Sequence, residues 1–212
     1  MIKTGLLGGS FNPAHQAHRQ ISVGAAEALG LDETWWLVSP GNPLKDAASM
    51  APLRVRFASA EAAAANLPVK VTAIERELGT RYTVDTIEAL VRDFPERSFV
   101  WLMGADNLSQ FHLWRDWERI AGLVPIAVVS RPGYDDAAHQ APAMGRLRGS
   151  VRPASEARQW TEWRPPALVL LQLPPDPTSA TGIRAADPDW HQKFSKSFNL
   201  EALRDHLTRK PI

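Results

Sequence analysis

The chain has 212 residues and is 44% hydrophobic, which suits one compact domain with a full core. Its 24 basic and 23 acidic residues nearly balance, so neither a nucleic acid nor a membrane surface is expected as a partner. The absence of cysteine excludes disulfides, thiolate zinc sites and cysteine nucleophiles. We therefore expect a cytoplasmic protein that acts on a small molecule.

Short apolar runs alternate with helical patterns along the chain. Strands are predicted at 2–7, 34–38, 69–72, 98–103, 126–130 and 168–173, and helices at 17–29, 53–65, 83–94, 114–123 and 199–207. For the helix at 83–94 the predicted buried stripe is Val84, Ile87, Leu90 and Val91. This alternation predicts an α/β fold, in which a Rossmann-like parallel sheet carries helices on both faces.

The organisation of the chain predicts a single domain over residues 1–212. A Pro-, Ala- and Arg-rich segment at 132–166 is interpreted as variable or mobile, not as a domain boundary. Ligands of such sheets bind beyond the carboxyl ends of the strands. We therefore expect the functional residues in the loops that follow the predicted strands.

The loop after the first strand carries two glycines and two histidines. Gly8 and Gly9 permit a sharp turn and a close approach to a ligand, and the helix that follows directs free N–H groups at an anion. His15 and His18 are three residues apart, so both can face one side of the first helical turn. The simpler alternative is a glycine turn with two incidental surface histidines, which this spacing disfavours.

Residues 8–18, read as GGSFNPAHQAH, resemble the signature G-G-[ST]-F-[DN]-P-x-H-x-G-H of the HxGH nucleotidyltransferases. Within that superfamily the whole chain resembles the bacterial nicotinate-nucleotide adenylyltransferases. The resemblance implies catalytic roles for His15 and His18, and contacts with ATP from His18 and from Gly8, Gly9, Ser10 and Phe11. It places Asn12 beside nicotinate mononucleotide. Ala17 replaces the glycine of the signature, and its methyl group is expected to crowd the adenosine.

The loop after the second strand contains Lys45, a point charge suited to phosphate oxygens. An ordinary solvated lysine is the alternative. The family has P-x-x-x-P-H-K here, so Lys45 matches, while Leu44 replaces the histidine. The resemblance implies that Lys45 takes part in catalysis and contacts nicotinate mononucleotide. Arg56, on the next predicted helix, is a weaker candidate for the same cluster of charges.

Two further stretches resemble the family where it binds the pyridine nucleotide and the ribose. Thr83, a plausible N-cap, lies in a stretch similar to [ST]-x-Y-T-x-[DN]-T, and residues 104–114 fit [GA]-x-D-x-x-x-x-F-x-x-W. Asp106 is suited to accept hydrogen bonds from the ribose of ATP. Trp114 is suited to stack on the pyridinium ring. By resemblance, the backbone of Arg115 adds a second donor beside Thr83 for nicotinate mononucleotide.

The last motif, at 179–184, resembles the phosphate motif [ST]-S-T-x-[IL]-R, with Ala180 in place of a serine. Ser179, Thr181 and Arg184 are expected to bind the phosphates of ATP, and Arg184 to neutralise their charge. A lone match of this kind is weak. As the last of several family motifs in the same order it favours the same function.

The resemblance implies adenylyl transfer from ATP to nicotinate mononucleotide, giving deamido-NAD and pyrophosphate in NAD biosynthesis. Mg²⁺ is expected to arrive with ATP, held by phosphate and water, and no protein metal ligands are predicted. The alternative acceptors are phosphopantetheine and nicotinamide mononucleotide. A mononucleotide-binding protein without catalysis is the alternative from another class.

Overall fold

A computed structural model describes residues 1–41, 50–130, 135–174 and 176–212. Its strands form one parallel sheet in the order β3-β2-β1-β4-β5-β7-β6. The strands are β1 (Ile2–Gly9), β2 (Glu33–Val38), β3 (Val69–Thr72), β4 (Arg97–Gly104), β5 (Ile126–Val129), β6 (Val151–Arg152) and β7 (Leu168–Leu171). All the pairings are parallel, so the predicted Rossmann-like sheet is confirmed.

Helices cover both faces of the sheet, as predicted. They are α1 (Gln16–Leu29), α2 (Leu53–Ala64), α3 (Ile74–Leu78), α4 (Thr83–Asp93), α5 (Ala105–Gln110), α6 (Trp117–Leu123), α7 (Asp135–His139), α8 (Met144–Leu147), α9 (Ala180–Ala186) and α10 (Trp190–Ser197). Successive strand residues serve opposite cores, because side chains alternate across a sheet. Leu6 and Trp35 join the core under α4 and α6, whereas Leu7 and Trp36 join the core under α1 and α2.

The strand order reverses between β1 and β4, which lie side by side at the centre of the sheet. In open parallel sheets a crevice forms at such a reversal, beyond the carboxyl ends of the two strands. The β1–α1 loop and the start of α5 both lie at this edge. The fold therefore brings the first sequence motif and Asp106 to the same side of the molecule.

Two helix predictions need correction. The predicted helix at 199–207 is a short 3₁₀ turn, Leu200–Ala202, followed by a reversal of the chain. The chain turns because the carboxylate of Asp205 accepts hydrogen bonds from the amides of Leu207 and Thr208. The helix predicted at 114–123 begins only at Trp117, after Asp116 takes a left-handed conformation at φ 48°.

The helix at 83–94 is confirmed as α4, but Val91 is 40% exposed and does not belong to its buried stripe. The segment predicted to be variable or mobile contributes to the core, since Trp160 within it is 1% exposed. The indole N–H of Trp160 donates to the carbonyl of Leu29, at 3.0 Å. The variability and mobility of this segment stay predictions.

Candidate active site

In the β1–α1 loop the chain turns at Phe11, whereas the sequence suggests a turn at Gly8 and Gly9. Gly8 and Gly9 are still part of β1, and the residue with a left-handed backbone is Phe11, at φ 47°. The glycines serve packing instead. A Cβ on Gly8 would lie 2.5 Å from the ring of Trp101, and one on Gly9 would lie 3.3 Å from the ring of Phe11. The backbone of this loop is therefore shaped by aromatic neighbours.

His15 and His18 lie together at the start of α1, as predicted, with ring centroids 4.0 Å apart. His15 is the N-cap of the helix. Its backbone N–H donates to Nδ1 of His18, at 3.1 Å. Because Nδ1 is the acceptor, a neutral His18 carries its proton on Nε2. The backbone thus fixes the tautomer in which His18 can donate through Nε2.

The residues between the glycines and the histidines are mostly buried. Phe11 is 2% exposed and stacks on Trp36, at 5.2 Å between ring centroids, so only its backbone can face a ligand. The side chain of Asn12 accepts from the amide of Ala51, at 3.1 Å. Ser10 is 7% exposed, and its hydroxyl has no hydrogen-bond partner within the described residues. That oxygen is itself covered by protein, so it reaches a ligand only if the loop around it shifts.

Ala17, which replaces the family's glycine, is 1% exposed. Its methyl group is covered by the protein and offers almost no surface to a ligand. In this conformation the methyl group does not crowd the site directly.

Arg184 connects the last motif with the first. Its Nη1 donates to the carbonyl of Asn12, at 2.7 Å, across 172 residues of sequence, and its Nη2 lies 3.3 Å from the hydroxyl of Thr181. The hydroxyl of Ser179 caps α9 by accepting from the amide of Gly182, at 3.1 Å. That amide is therefore already paired, and Arg184 is the charged group that the motif adds to the site.

The loop after β2 is described only at its ends, so Leu44 and Lys45 lie outside the described residues. Arg56 is described, and the prediction that it joins a phosphate-binding cluster of charges is wrong. It is 1% exposed and donates to backbone carbonyls of the surrounding loops. Burial lowers the pKa of its guanidinium to about 10, so it remains charged at neutral pH.

The entry to α4 differs from the sequence prediction in one detail. Tyr82, with an extended backbone, is the N-cap, and Thr83 is already the first helical residue. The amide of Thr86 donates to the carbonyl of Tyr82, at 3.1 Å, so the amides before it precede the hydrogen-bonded part of the helix. The guanidinium of Arg115 lies 4.5 Å from the centroid of the Tyr82 ring. The fold thus brings the side chain of Arg115 to Tyr82, the residue before Thr83, and the role of the Arg115 backbone amide stays a prediction.

Trp114 is half-buried and leaves part of its indole ring accessible. Its ring meets that of Trp101 edge-on, with centroids 6.1 Å apart. Trp101 in turn packs against Gly8, so one aromatic contact joins the Trp114 region to the glycine motif. Asp106, in the first turn of α5, is partly buried. A small cavity lined by Ala105, Val128 and Leu170 lies between α5, α7 and the ends of β5 and β7.

A buried acid that no sequence motif indicates, Glu75, lies beside the α4 entry. Its carboxylate accepts from the hydroxyl of Thr86, at 3.2 Å, and contacts the hydroxyl of Ser39, which follows β2. Burial raises the pKa of Glu75 to about 7, and the bonds from the two hydroxyls only partly offset it. Glu75 is the second residue of α3, directly after the buried Ile74, and that apolar neighbour is the signal that could have revealed it.

Within the described residues, no group of three or more His, Asp or Glu side chains is placed to hold a metal ion. No helix in the described ranges is long and apolar enough to cross a membrane.

Comparison with known proteins identifies the relatives of the chain. The sequence model of the family described as cytidylyltransferase-like matches residues 6–186. A protein of Erythrobacter litoralis named "probable nicotinate-nucleotide adenylyltransferase" is 55% identical over 211 residues, covering 100% of this chain and 94% of the relative. A protein of the same name from Parvibaculum lavamentivorans is 50% identical over 183 residues, covering 86% of this chain and 91% of the relative.

Solved structures show the same fold in distant proteins. The Plasmodium falciparum nicotinic acid mononucleotide adenylyltransferase complexed with NaAD superposes with a TM-score of 0.66 at 14% sequence identity. The match covers 92% of this chain and 90% of that one.

Proposed function

The chain belongs to the cytidylyltransferase-like family, among its nicotinate-nucleotide adenylyltransferases, and we infer that it transfers the adenylyl group of ATP to nicotinate mononucleotide. The observation that carries this conclusion is 55% identity along the whole chain to a relative of that name. The products are deamido-NAD and pyrophosphate, and the reaction belongs to NAD biosynthesis.

For the site we propose that the β1–α1 loop and Arg184 bind the triphosphate of ATP. The pairing of His15 with His18 supports this, because it sets an Nε2–H donor at the start of α1. Arg184 is held at the same loop by the carbonyl of Asn12. Two further roles are carried over from the sequence alone: contact of Ser10 with ATP, and a part for Lys45 in catalysis and in binding nicotinate mononucleotide.

The chemistry requires little proton transfer, because the attacking 5′-phosphate of the mononucleotide is already an anion. One of its oxygens forms a bond to the α-phosphorus of ATP. The bond from that phosphorus to the α–β bridging oxygen breaks, and pyrophosphate leaves with the electron pair. The protein contributes alignment and stabilisation of the charge that develops, with His18 as donor. ATP enters as its Mg²⁺ complex, in which phosphate and water hold the ion.

For the acceptor we propose that Trp114 stacks on the pyridine ring and that Thr83 and Arg115 supply backbone donors to its carboxylate. The first amides of α4 precede the hydrogen-bonded part of the helix, where an anion is favoured. A neutral carboxamide leaves its NH₂ group without an acceptor there. Nicotinate mononucleotide is therefore preferred over nicotinamide mononucleotide.

Pyrophosphate release from purified protein tests the function. ATP is supplied with nicotinate mononucleotide, nicotinamide mononucleotide or phosphopantetheine in turn, and then with the first two in competition. We expect kcat/KM to favour nicotinate mononucleotide by roughly tenfold to a hundredfold, since charged hydrogen bonds contribute about 1.5–3 kcal/mol. Equal use of both mononucleotides would overturn the anion preference, and turnover of none would leave a binding protein. A cytoplasmic location stays a prediction from the sequence.

A further inference from the structure

Arg56 occupies a position that its sequence neighbourhood does not suggest. It is 1% exposed in α2, whereas Arg54, two residues earlier, has a side chain 43% exposed. Burial lowers the pKa of Arg56, and no carboxylate of the described residues offsets that effect. A buried charge of this kind is costly unless its hydrogen bonds are satisfied.

Four of the five N–H groups of Arg56 are satisfied by backbone carbonyls. Its Nη1 donates to the carbonyls of Ser10 and Ser39, at 2.7 Å each. Its Nη2 donates to Pro40, at 3.2 Å, and its Nε to Ala51, at 2.8 Å. A planar guanidinium can span several acceptors at fixed angles, which the single ammonium of a lysine cannot.

These four carbonyls belong to two loops of the candidate site. Ser10 lies in the β1–α1 loop, which leads to His15 and His18. Ser39 and Pro40 begin the segment between β2 and α2, and Ala51 lies at its end. One guanidinium therefore binds both ends of this segment, to which Lys45 belongs in the sequence. The amide of Ala51 also donates to Asn12, whose carbonyl accepts from Arg184.

We propose that Arg56 is a positioning residue for adenylyl transfer, which fixes the β1–α1 loop and both ends of the loop between β2 and α2 relative to one another. This rests on the proposed function. Arg56 contacts the carbonyls of the loops and acts through the groups that those loops carry. A small misplacement of reacting groups lowers turnover strongly, so loss of these contacts reduces kcat even where the fold survives.

Arg56→Lys tests the proposal, with Arg54→Lys as the matched control on the same helix. Arg54 also donates to a backbone carbonyl, that of Ile212, at 2.7 Å. Kinetics are measured well below the melting temperature of each variant. We expect Arg56→Lys to lower kcat by about tenfold or more and to raise KM for both substrates, while the control stays within about twofold. Arg56→Gln, a neutral side chain, serves as a second variant if the lysine does not fold.

A double-mutant cycle with His18→Ala separates positioning from general destabilisation. If Arg56 acts by placing His18, the same substitution costs much less in the His18→Ala background than in the wild type. An equal loss of kcat in both backgrounds would overturn the proposal, and so would a normal kcat in Arg56→Lys.

Calorimetry of ATP binding to Arg56→Lys distinguishes a failure of the positioning role from a failure of the proposed function. If no acceptor is turned over by the wild type, the proposed function fails, whereas weaker ATP binding by Arg56→Lys but not by Arg54→Lys still supports the positioning role.

Discussion

At the residue scale, the spacing of His15 and His18 in the sequence predicts that they lie together, but not which nitrogen of His18 donates. Two residues three apart at a helix start must share a face, so their proximity is predictable from the sequence. The hydrogen bond from the backbone of His15 to Nδ1 of His18 depends on the conformation of the N-cap, which the sequence does not reveal. The structure therefore adds the tautomer, and with it the atom that donates.

His18→Ala is expected to lower kcat by roughly 10²–10³, because one donor to the transition-state charge is lost. KM for ATP should change much less, since Arg184 and the loop remain. Steady-state kinetics with saturating nicotinate mononucleotide measure both constants. His191→Ala, on α10, is the control and should retain normal turnover. A near-normal kcat in His18→Ala would remove this side chain from the mechanism.

Arg184→Lys is expected to raise KM for ATP by about tenfold while KM for nicotinate mononucleotide holds. The guanidinium contacts the Asn12 carbonyl and the Thr181 hydroxyl, and a lysine has only one nitrogen to share between these groups and a phosphate. Arg158→Lys, which changes an exposed arginine that donates to the carbonyl of Glu27, is the control. An unchanged KM for ATP in Arg184→Lys would place Arg184 outside the phosphate site.

Arg56 marks the limit of sequence reasoning at this scale. Two arginines in one helical turn look alike in the sequence, and only the packed loops decide that one is buried and the other exposed. The hydrogen-bond acceptors of Arg56 are backbone carbonyls, which every residue has, so the sequence does not indicate them. The closeness of Arg56 to Lys45 in the sequence predicts a place in the same cluster of charges, and its burial contradicts that role.

At the scale of elements, six of the seven strands that the structure describes were predictable, because both faces of a parallel sheet are buried, which produces continuous apolar runs. The exception is β6, which has only two residues. The short helices α3, α5, α7, α8, α9 and α10 were missed, since each is only four to eight residues long. The helix predicted at 199–207 does not form, because the carboxylate of Asp205 accepts hydrogen bonds from the amides of Leu207 and Thr208, which a helix would pair with backbone carbonyls. Local hydrogen bonds from a side chain to the backbone thus override the helical pattern in this segment.

The polar cluster between α3 and α4 predicts a pH-dependent stability. The folded protein holds a proton on Glu75 up to a pKa of about 7, whereas a glutamate in the unfolded chain loses its proton near 4.5. Stability from this group is therefore complete below pH 4.5 and falls as pH rises through 7, by up to about 3 kcal/mol. The Glu75→Gln variant should lack this fall, because its amide stays neutral.

Urea denaturation of the wild type and of Glu75→Gln between pH 5 and pH 8 measures this effect as a difference between two curves. Glu162→Gln, which changes an exposed acid, should follow the wild type at every pH. Parallel curves for the wild type and Glu75→Gln would contradict the raised pKa.

At the scale of the whole molecule, the C-terminal segment packs against the edge of the sheet. The C-terminal segment lies against the edge strand β3, where the amide of His206 donates to the carbonyl of Val71 and the amide of Val71 donates to Nδ1 of His206. Together with the contact of Arg184 to Asn12, this places residues near both ends of the sequence in one structure. The contact at β3 was not predictable, because sequence patterns are local. The resemblance already implies that Arg184 and the first motif bind one ligand.

Asp205 is the centre of the contact at β3, and its removal should destabilise the entire fold. The carboxylate is 2% exposed and accepts from the hydroxyl of Thr72 and from the amides of Ala73, Leu207 and Thr208. Asp205→Ala leaves these buried donors without an acceptor, and each such donor costs about 1–3 kcal/mol. We expect the free energy of unfolding to fall by about 3 kcal/mol or more.

Urea denaturation measures this loss, and hydrogen exchange locates it. Asp205→Asn keeps one acceptor oxygen and should lose less than Asp205→Ala, so the two substitutions form a graded series. Asp189→Ala, at an exposed acid that accepts from Gln192, should change stability by no more than about 0.5 kcal/mol. The amide of Ala73, which donates to Asp205 in the native protein, should exchange faster in Asp205→Ala because its acceptor is gone. A loss of stability as small as that of Asp189→Ala would mean that the edge of the sheet is held by the remaining contacts of the C-terminal segment.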